Sequence, residues 1–145
     1  MEMKIFLTAK SLQTAMGKPV YCDVMNGVYI DWDGEIHKEK DKENQDTKNE
    51  MDVILMQGLI PVFISCKNGN IEMEELYKLH TVANRFGGSY VKKVLIATSL
   101  QDSTKKGRQI LQRAKDMGIR VVYNVQTFPP EQLRKTIRNL WAYTQ

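Results

Sequence analysis

Apolar residues recur at helical spacing at the start of the chain and in short runs after it, which predicts a helix followed by strands. Residues 2–16 place one apolar stripe on the helix, made of Ile5, Phe6, Ala9, Leu12 and Met16. Gly17 and Pro19 end this predicted helix. The next segment, PVYCDVMNGVYIDWDG, predicts two strands joined by a type I′ turn at Asn26-Gly27, since both central positions of that turn need positive φ.

A charged segment and a second hairpin follow. Residues 35–49 are charged or polar with almost nothing to bury, which predicts a flexible loop. The segment EMDVILMQGLIPVFISCK has two apolar runs around Gly58, which is typical of a hairpin. IEMEELYKLHTVANRF then predicts a helix, and Gly87-Gly88 supply its C-terminal cap.

The remaining residues alternate between strand and helix patterns. The four segments are VKKVLIAT, STKKGRQILQRAKDMG, IRVVYNV and PPEQLRKTIRNLWAYT. Strand–helix–strand–helix order favours parallel strands with right-handed crossovers. The sequence therefore predicts an α/β fold in a single domain over residues 1–145. Its mixed sheet is antiparallel at one side, parallel at the other, and flanked by helices.

Composition excludes some classes of protein but does not identify a function. The chain has 145 residues, 42% hydrophobic and 26% charged, with no apolar run long enough to span a bilayer. Two cysteines do not make a disulfide framework, so we expect a reducing, cytoplasmic setting. Residues 1–84 hold 9 basic and 14 acidic residues, and residues 85–145 hold 12 basic and 3 acidic residues. The basic half favours binding of a polyanion, although solvated helix surfaces would give the same balance.

Acidic and basic residues interrupt the second hairpin where packing would favour apolar ones. If its turn is Gly58-Leu59, residues whose numbers sum to 117 lie opposite each other, so that one face carries Glu50, Asp52, Ser65 and Lys67. A turn at Leu59-Ile60 would place Asp52 opposite Lys67 and keep the four residues on one face. An odd-length loop or a bulge would separate them.

This cluster has the chemistry of a metal-assisted phosphate site. Carboxylates at a sheet end are ligands for a hard divalent cation, Mg²⁺ or Mn²⁺. A nearby lysine can orient an attacking water or stabilise the charge that grows on a phosphate. The alternative is a plain Asp–Lys ion pair on a solvated sheet edge.

The spacing of Asp52 and Ser65-Cys66-Lys67 resembles the Asp…(Asp/Glu)-x-Lys signature of PD-(D/E)xK nucleases. The longer pattern NEMDVILMQGLIPVFISCKNG…EELYKL…VANRFGG resembles the C-terminal nuclease domain of CRISPR-associated effectors that join a CARF sensing domain to such a nuclease. The resemblance implies a restriction-endonuclease-like fold and a metal-dependent endonuclease that cuts DNA or RNA in antiviral defence. It also implies a homodimer. The residues given hold no counterpart of the sensing domain, so we infer no small-molecule effector site within them.

The resemblance assigns roles residue by residue. Asp52 matches the metal-binding aspartate and Lys67 the motif lysine, while Cys66 would offer its backbone carbonyl to the metal. Glu2 resembles a glutamate on the first helix of many such nucleases, and its spacing before Ile5 predicts an inward position. The alternative is that Glu2 belongs to a frayed, exposed terminus. The position of the motif acid, however, is occupied by Ser65, and serine is a poor metal ligand. Either Glu50 or Glu2 supplies the second carboxylate, and the hairpin geometry favours Glu50. Otherwise the domain binds metal weakly, or it is a catalytically weak nucleic-acid-binding module.

Several cations are candidates for contacting the nucleic-acid backbone. They are Lys78 on the helix after the motif and the residues of the basic half, Lys92, Lys93, Lys105, Lys106 and Arg108. Lys105 and Lys106 lie in the first turn of their predicted helix, where backbone N–H groups also attract phosphate. Few aromatic residues lie among these cations, so we expect backbone contacts and little base reading. A solvated face is the alternative.

Overall fold

The computed structural model describes residues 1–30 and 49–143. Five strands form one sheet: β1 (Asp23–Ile30), β2 (Asn49–Gln57), β3 (Ile60–Lys67), β4 (Lys92–Ala97) and β5 (Ile119–Val122). The strands lie in chain order across the sheet. β1, β2 and β3 pair antiparallel, whereas β3, β4 and β5 pair parallel. The predicted mixed sheet is confirmed.

Helices cover both faces of this sheet, as predicted: α1 (Glu2–Ser11), α2 (Met73–Phe86), α3 (Lys105–Asp116) and α4 (Pro130–Arg138). Short 3-10 turns lie at Val125–Thr127 and Leu140–Ala142. Within residues 1–30 and 49–143, no helix has the length and apolar character that crossing a membrane requires.

Two apolar layers hold the helices to the sheet. On one face α1 and α4 contribute Ile5, Ala9, Leu133 and Ile137, which pack with Val62 and Ile64 of β3. On the other face α2 and α3 contribute Leu76, Leu79, Ile110 and Ala114, which pack with Phe63. Alternation along β3 sends its even-numbered apolar residues to one layer and its odd-numbered residue to the other. This double burial explains the near-continuous apolar run of β3.

The first helix is shorter than predicted. α1 ends at Ser11, Leu12 takes an extended conformation, and Met16, assigned to the apolar stripe, is 86% exposed. Gln13 forms an isolated bridge with Pro19, and Gly17, at φ +77°, lies in the turn between them. The glycine and proline therefore close a tight turn immediately after α1. The prediction of residues 2–16 as one helix is wrong beyond Ser11.

The predicted first hairpin is also wrong. Asn26 and Gly27 lie inside β1, a single strand whose residues other than Gly27 all pair with β2. Gly27 has φ +59°, while the only non-glycine positive φ among the described residues belongs to Asn124. The glycine therefore uses its conformational freedom to bend a strand and not to reverse it.

The second hairpin is confirmed. Its ladder runs from Gln57↔Ile60 to Val53↔Ile64, which is the register whose residue numbers sum to 117. Gly58 supplies the positive φ of the two-residue turn. The predicted loop at 35–49 falls on residues 35–48, outside the described residues, and on Asn49, which begins β2.

Candidate functional site

Asp52 lies where the pleat of β2 is interrupted. The β1–β2 register is constant on both sides, but Gly27 and Asp52, which face each other across it, are not paired. Met51 and Ile54 belong to the same apolar layer although three positions separate them. Regular alternation would send them to opposite faces. The bend at Gly27 thus coincides with a change of face in β2 at Asp52.

The Asp52 carboxylate uses this break to bind the neighbouring strand. The β2–β3 ladder has its last pair at Val53↔Ile64, and beyond it the Cys66 N–H donates to Asp52 Oδ2 at 2.6 Å. The carboxylate oxygen accepts a hydrogen bond that a backbone carbonyl would accept in a regular ladder. Because this acceptor is charged, the hydrogen bond is short and strong. Asp52 is therefore held at the point where β2 and β3 separate.

Gly27 and Gly58 offer a matched test of this arrangement. They have φ values of +59° and +60°, so an added Cβ costs either position about 1–2 kcal/mol of left-handed backbone strain. A Cβ on Gly27 would lie 3.7 Å from Glu50 Oε1, and one on Gly58 would meet nothing within 4 Å. We expect Gly27→Ala and Gly58→Ala to lower the free energy of unfolding similarly in urea. Only Gly27→Ala should speed hydrogen exchange of the Cys66 amide; equal protection in both variants would contradict this account.

A cleft of about 190 Å³ opens beside Asp52. Its polar lining consists of Glu50, Asp52, Ser65, Glu75 and Lys78, and its apolar wall comes from Met51, Leu79 and Val82. The structure thus brings three predicted hairpin residues and Lys78 together at the separating ends of β2 and β3. Glu75 joins them from the first turn of α2.

Lys67 reaches this cleft through Glu75. Its Nζ lies 2.6 Å from Glu75 Oε1, and this ion pair raises the pKa of the Lys67 ammonium. The register had predicted Glu50 opposite Lys67, but the β2–β3 ladder ends before that pair. Beyond the last pair, the Cys66 N–H donates to the Asp52 side chain and not to the backbone of β2. The partner of Lys67 is therefore on α2 and not on β2.

Sequence reasoning missed Glu75. Its other oxygen, Oε2, accepts from the Glu72 N–H at 2.9 Å, and the Glu72 side chain accepts from the Glu75 N–H, which completes a capping box at the start of α2. The Glu-x-x-Glu spacing before an apolar stripe was visible in the sequence as a capping signal. The pairing with Lys67 was not, because it depends on how α2 packs against β3.

Three carboxylates approach one another from two elements. Loss of water around the Glu2 carboxyl, and then the charges of Asp52 and Glu50, raise the pKa of Glu2. The predicted inward position of Glu2 is wrong, since the residue is exposed at the first turn of α1. The reason is that the buried stripe of α1 starts only at Ile5.

Oxygen ligands are therefore present but not assembled. Within residues 1–30 and 49–143, no group of three His, Cys, Asp or Glu side chains lies close enough to hold one ion as the side chains stand. Besides the loss of water, the charges of Asp52 and Glu50 raise the pKa of Glu2, and a divalent cation would offset this charge. The donor set of Glu2, Glu50 and Asp52 consists of hard oxygen atoms, which fits Mg²⁺ or Mn²⁺.

The thiol of Cys66 does not share this character. Burial, followed by the charges of Asp52 and Glu2, raises its pKa to about 12. Compared with an ordinary pKa of 9.0, the thiolate fraction near pH 8 falls about 1000-fold.

We expect iodoacetamide at pH 8 to modify exposed Cys22 and spare Cys66. Mass spectrometry of the two peptides checks this, and equal modification before unfolding would contradict it.

The predicted backbone-binding cations divide into two groups. Lys92 donates to Tyr143 O at 2.7 Å and Lys93 to Met117 O at 2.6 Å. Both lie at the start of β4, where Lys92 is five residues, or about 17 Å, and Lys93 four residues, or about 13 Å, from the level of Lys67. The structure does not bring Lys92 and Lys93 to the cleft, because they hold backbone carbonyls at the other end of the sheet.

The second group lies at the same sheet edge as the cleft. β4 ends at Ala97, opposite Lys67, and α3 begins at Lys105 after a short connection. Lys105 is exposed, whereas Lys106 pairs with Glu72 at 3.0 Å. Arg108 donates to Ser103 O at 2.6 Å. These cations, together with Lys78 in the cleft, place positive charge where parallel strands end, the usual position of ligand sites in such sheets.

The chain is similar to an endonuclease-domain family and to two larger proteins of known structure. The Card1-like, endonuclease domain family profile matches residues 19–143. The solved structure of VC1899 from Vibrio cholerae is 20% identical, covers 97% of this chain and 32% of its own, and superposes with a TM-score of 0.66. Can2 from Sulfobacillus thermosulfidooxidans, solved with cyclic tetra-adenylate, is 18% identical with a TM-score of 0.63, over 97% of this chain and 33% of its own. The chain spans about a third of each. No curated protein matches.

Proposed function

The chain belongs to the Card1-like endonuclease domain family, and from that membership we propose that it hydrolyses phosphodiester bonds of DNA or RNA with Mn²⁺ or Mg²⁺ bound beside the cleft. The observation that carries the proposal is the position of Asp52. Its carboxylate is held at a strand break by the Cys66 N–H, in a cleft that also contains Glu50 and Ser65.

Asp52 and Glu50 are the residues we propose to hold the cation, with Glu2 as the further carboxylate and the Cys66 carbonyl as a neutral oxygen. Their chemistry fits a hard divalent cation because all the donor atoms are oxygens, and because the charges of Asp52 and Glu50 act on Glu2. When bound, such a cation makes a coordinated water more acidic and neutralises charge on the phosphate.

The remaining residues act on the substrate. The Lys67 ammonium is paired with Glu75 of the cleft lining, and from there it would orient the attacking water and stabilise the extra negative charge that develops on the phosphate. Lys78 lines the same cleft and is placed to contact a neighbouring phosphate. Lys105, Lys106 and Arg108 would extend this contact along the backbone from the start of α3.

The wider setting follows from the resemblance and the family. We propose that the domain acts in CRISPR-linked antiviral defence, as a homodimer, and that activation by a small molecule takes place outside these residues. The similarity to Can2, at 18% identity, supports the fold on which this proposal depends.

A cleavage assay tests the proposed function. Supercoiled plasmid, single-stranded DNA and single-stranded RNA are incubated with the protein in Mn²⁺, Mg²⁺ or EDTA. We expect cutting in Mn²⁺ or Mg²⁺ that EDTA abolishes, because the carboxylates need a cation to work on a phosphate. Cutting that persists in EDTA would remove the metal from the proposal, and a folded protein that cuts none of the three would remove the activity.

A second function is favoured by Ser65. The motif acid is missing there, and the described carboxylates are not assembled around one point. The same fold could then bind nucleic acid without cutting it. Calorimetry separates the two: Mn²⁺ binding that vanishes in Asp52→Ala supports the nuclease, whereas nucleic-acid binding without any Mn²⁺ binding supports the module.

A further inference from the structure

Lys67 lacks the carboxylate that the motif would place beside it. Ser65 and Lys67 are two positions apart on β3 and therefore point to the same face. An acid at position 65 would put its charge next to the ammonium. The hydroxymethyl group of Ser65 carries no charge and leaves this side of the cleft open.

Glu75 occupies the place that Ser65 leaves open. It lines the same cleft as Ser65, and its Oε1 lies 2.6 Å from Lys67 Nζ. The two side chains are 24% and 38% exposed, so the pair is partly shielded from water at the cleft wall. Shielding strengthens a close ion pair relative to one on an open surface.

The carboxylate of Glu75 is itself held. Its second oxygen accepts the Glu72 N–H at 2.9 Å, so neither oxygen is without a partner. Glu72 in turn binds Lys106 Nζ at 3.0 and 3.1 Å through its two oxygens. Lys67 is thereby connected through Glu75 and Glu72 to the first turn of α2 and, through Lys106, to the start of α3.

We propose that Glu75 is a positioning residue that fixes the Lys67 ammonium at the cleft in place of the missing motif acid. The inference rests on the proposed nuclease function and deepens it. Both oxygens of Glu75 are engaged by donors, which suits a positioning role and not a metal ligand. Ser65 is part of the same arrangement, because a small residue there leaves room for Glu75 to approach from α2.

The test compares Glu75→Gln with Glu74→Gln. Glu74 is an exposed neighbour in the same first turn, so both variants remove one charge from the same helix end. The glutamine at position 75 can still accept the Glu72 N–H, which preserves the helix cap. We expect Glu75→Gln to lower kcat about 30-fold with KM within about threefold, since Lys67 acts on the transition state. Glu74→Gln should cut like the parent protein.

Two further readouts separate positioning from metal binding. Calorimetry should show the Mn²⁺ affinity of Glu75→Gln within about threefold of the parent value. Adding Ser65→Glu to Glu75→Gln should recover at least about tenfold in kcat, because it returns a carboxylate beside Lys67 on β3. An equal loss of kcat in Glu74→Gln, a matching loss of Mn²⁺ affinity, or no recovery with Ser65→Glu would overturn the proposal.

A readout without catalysis distinguishes this inference from the proposed function. An ion pair slows the exchange of lysine ammonium protons with water, so that the ¹⁵N–¹H signal of the ammonium can be observed. Lys67 should lose that signal in Glu75→Gln but keep it in Glu74→Gln. A parent protein that shows the signal but cuts nothing would refute the nuclease function with the ion pair intact. Unchanged cutting in Glu75→Gln, with the signal lost, would refute the positioning role alone.

Discussion

Asp52→Asn should reduce metal-dependent cleavage by at least about 1000-fold. The carboxylate is the central member of the proposed ligand set, and loss of the several kcal/mol that a bound cation supplies corresponds to this range. The asparagine side-chain oxygen can still accept the Cys66 N–H, so the break between β2 and β3 should survive. The measurement is the initial rate of plasmid and oligonucleotide cutting in Mn²⁺, with Mn²⁺ affinity determined in parallel.

Asp23→Asn is the matched control for this substitution. Asp23 is an exposed aspartate on β1, opposite Met56 and four positions along the ladder from Gly27, which faces Asp52. It removes the same charge from the neighbouring strand without touching the cleft, so cutting should stay at the parent level. If Asp52→Asn cut as well as Asp23→Asn, with both proteins folded, the metal site could not be centred on Asp52.

Lys67→Met should cost about 100-fold in kcat. The substitution keeps the length and apolar stem of the side chain but removes the positive charge that we place beside the phosphate. Glu75 would lose its partner, yet its carboxylate is partly exposed and still accepts the Glu72 N–H, so the fold should tolerate the change. Mn²⁺ binding should persist, which separates this variant from Asp52→Asn.

Coupling with Glu75 sharpens the prediction for Lys67. Two residues that act through one ion pair are not additive, so Lys67→Met combined with Glu75→Gln should cut no more slowly than Lys67→Met alone. Lys115→Met, an exposed lysine on α3, serves as the charge control. A full additional loss in the double variant would mean that Glu75 acts independently of Lys67.

The turn residues correctly predicted the hairpin of β2 and β3, but they wrongly predicted a hairpin at Asn26-Gly27. Gly58-Leu59 fixed the register of β2 and β3, because the residues on either side form apolar runs that must be buried together. Asn26-Gly27 has the stronger turn signature but lies within a strand. A positive φ at glycine permits both a reversal and a bend. Pairing of β1 with β2 on both sides of Gly27 is compatible only with the bend.

The sequence by itself determined the order of strands and helices from β2 onward, the mixed sheet, and the position of Asp52 and Lys67 on the second hairpin. Periodic burial and short connections involve residues close together in the sequence, so the sequence pattern alone predicts them. Only the tertiary structure decided the partners within the site. Asp52 binds Cys66 across a strand break, Lys67 binds Glu75 from α2, and Lys92 and Lys93 lie at the far end of the sheet. These contacts join residues on different elements, and their geometry depends on how helices and strands pack, which periodicity does not encode.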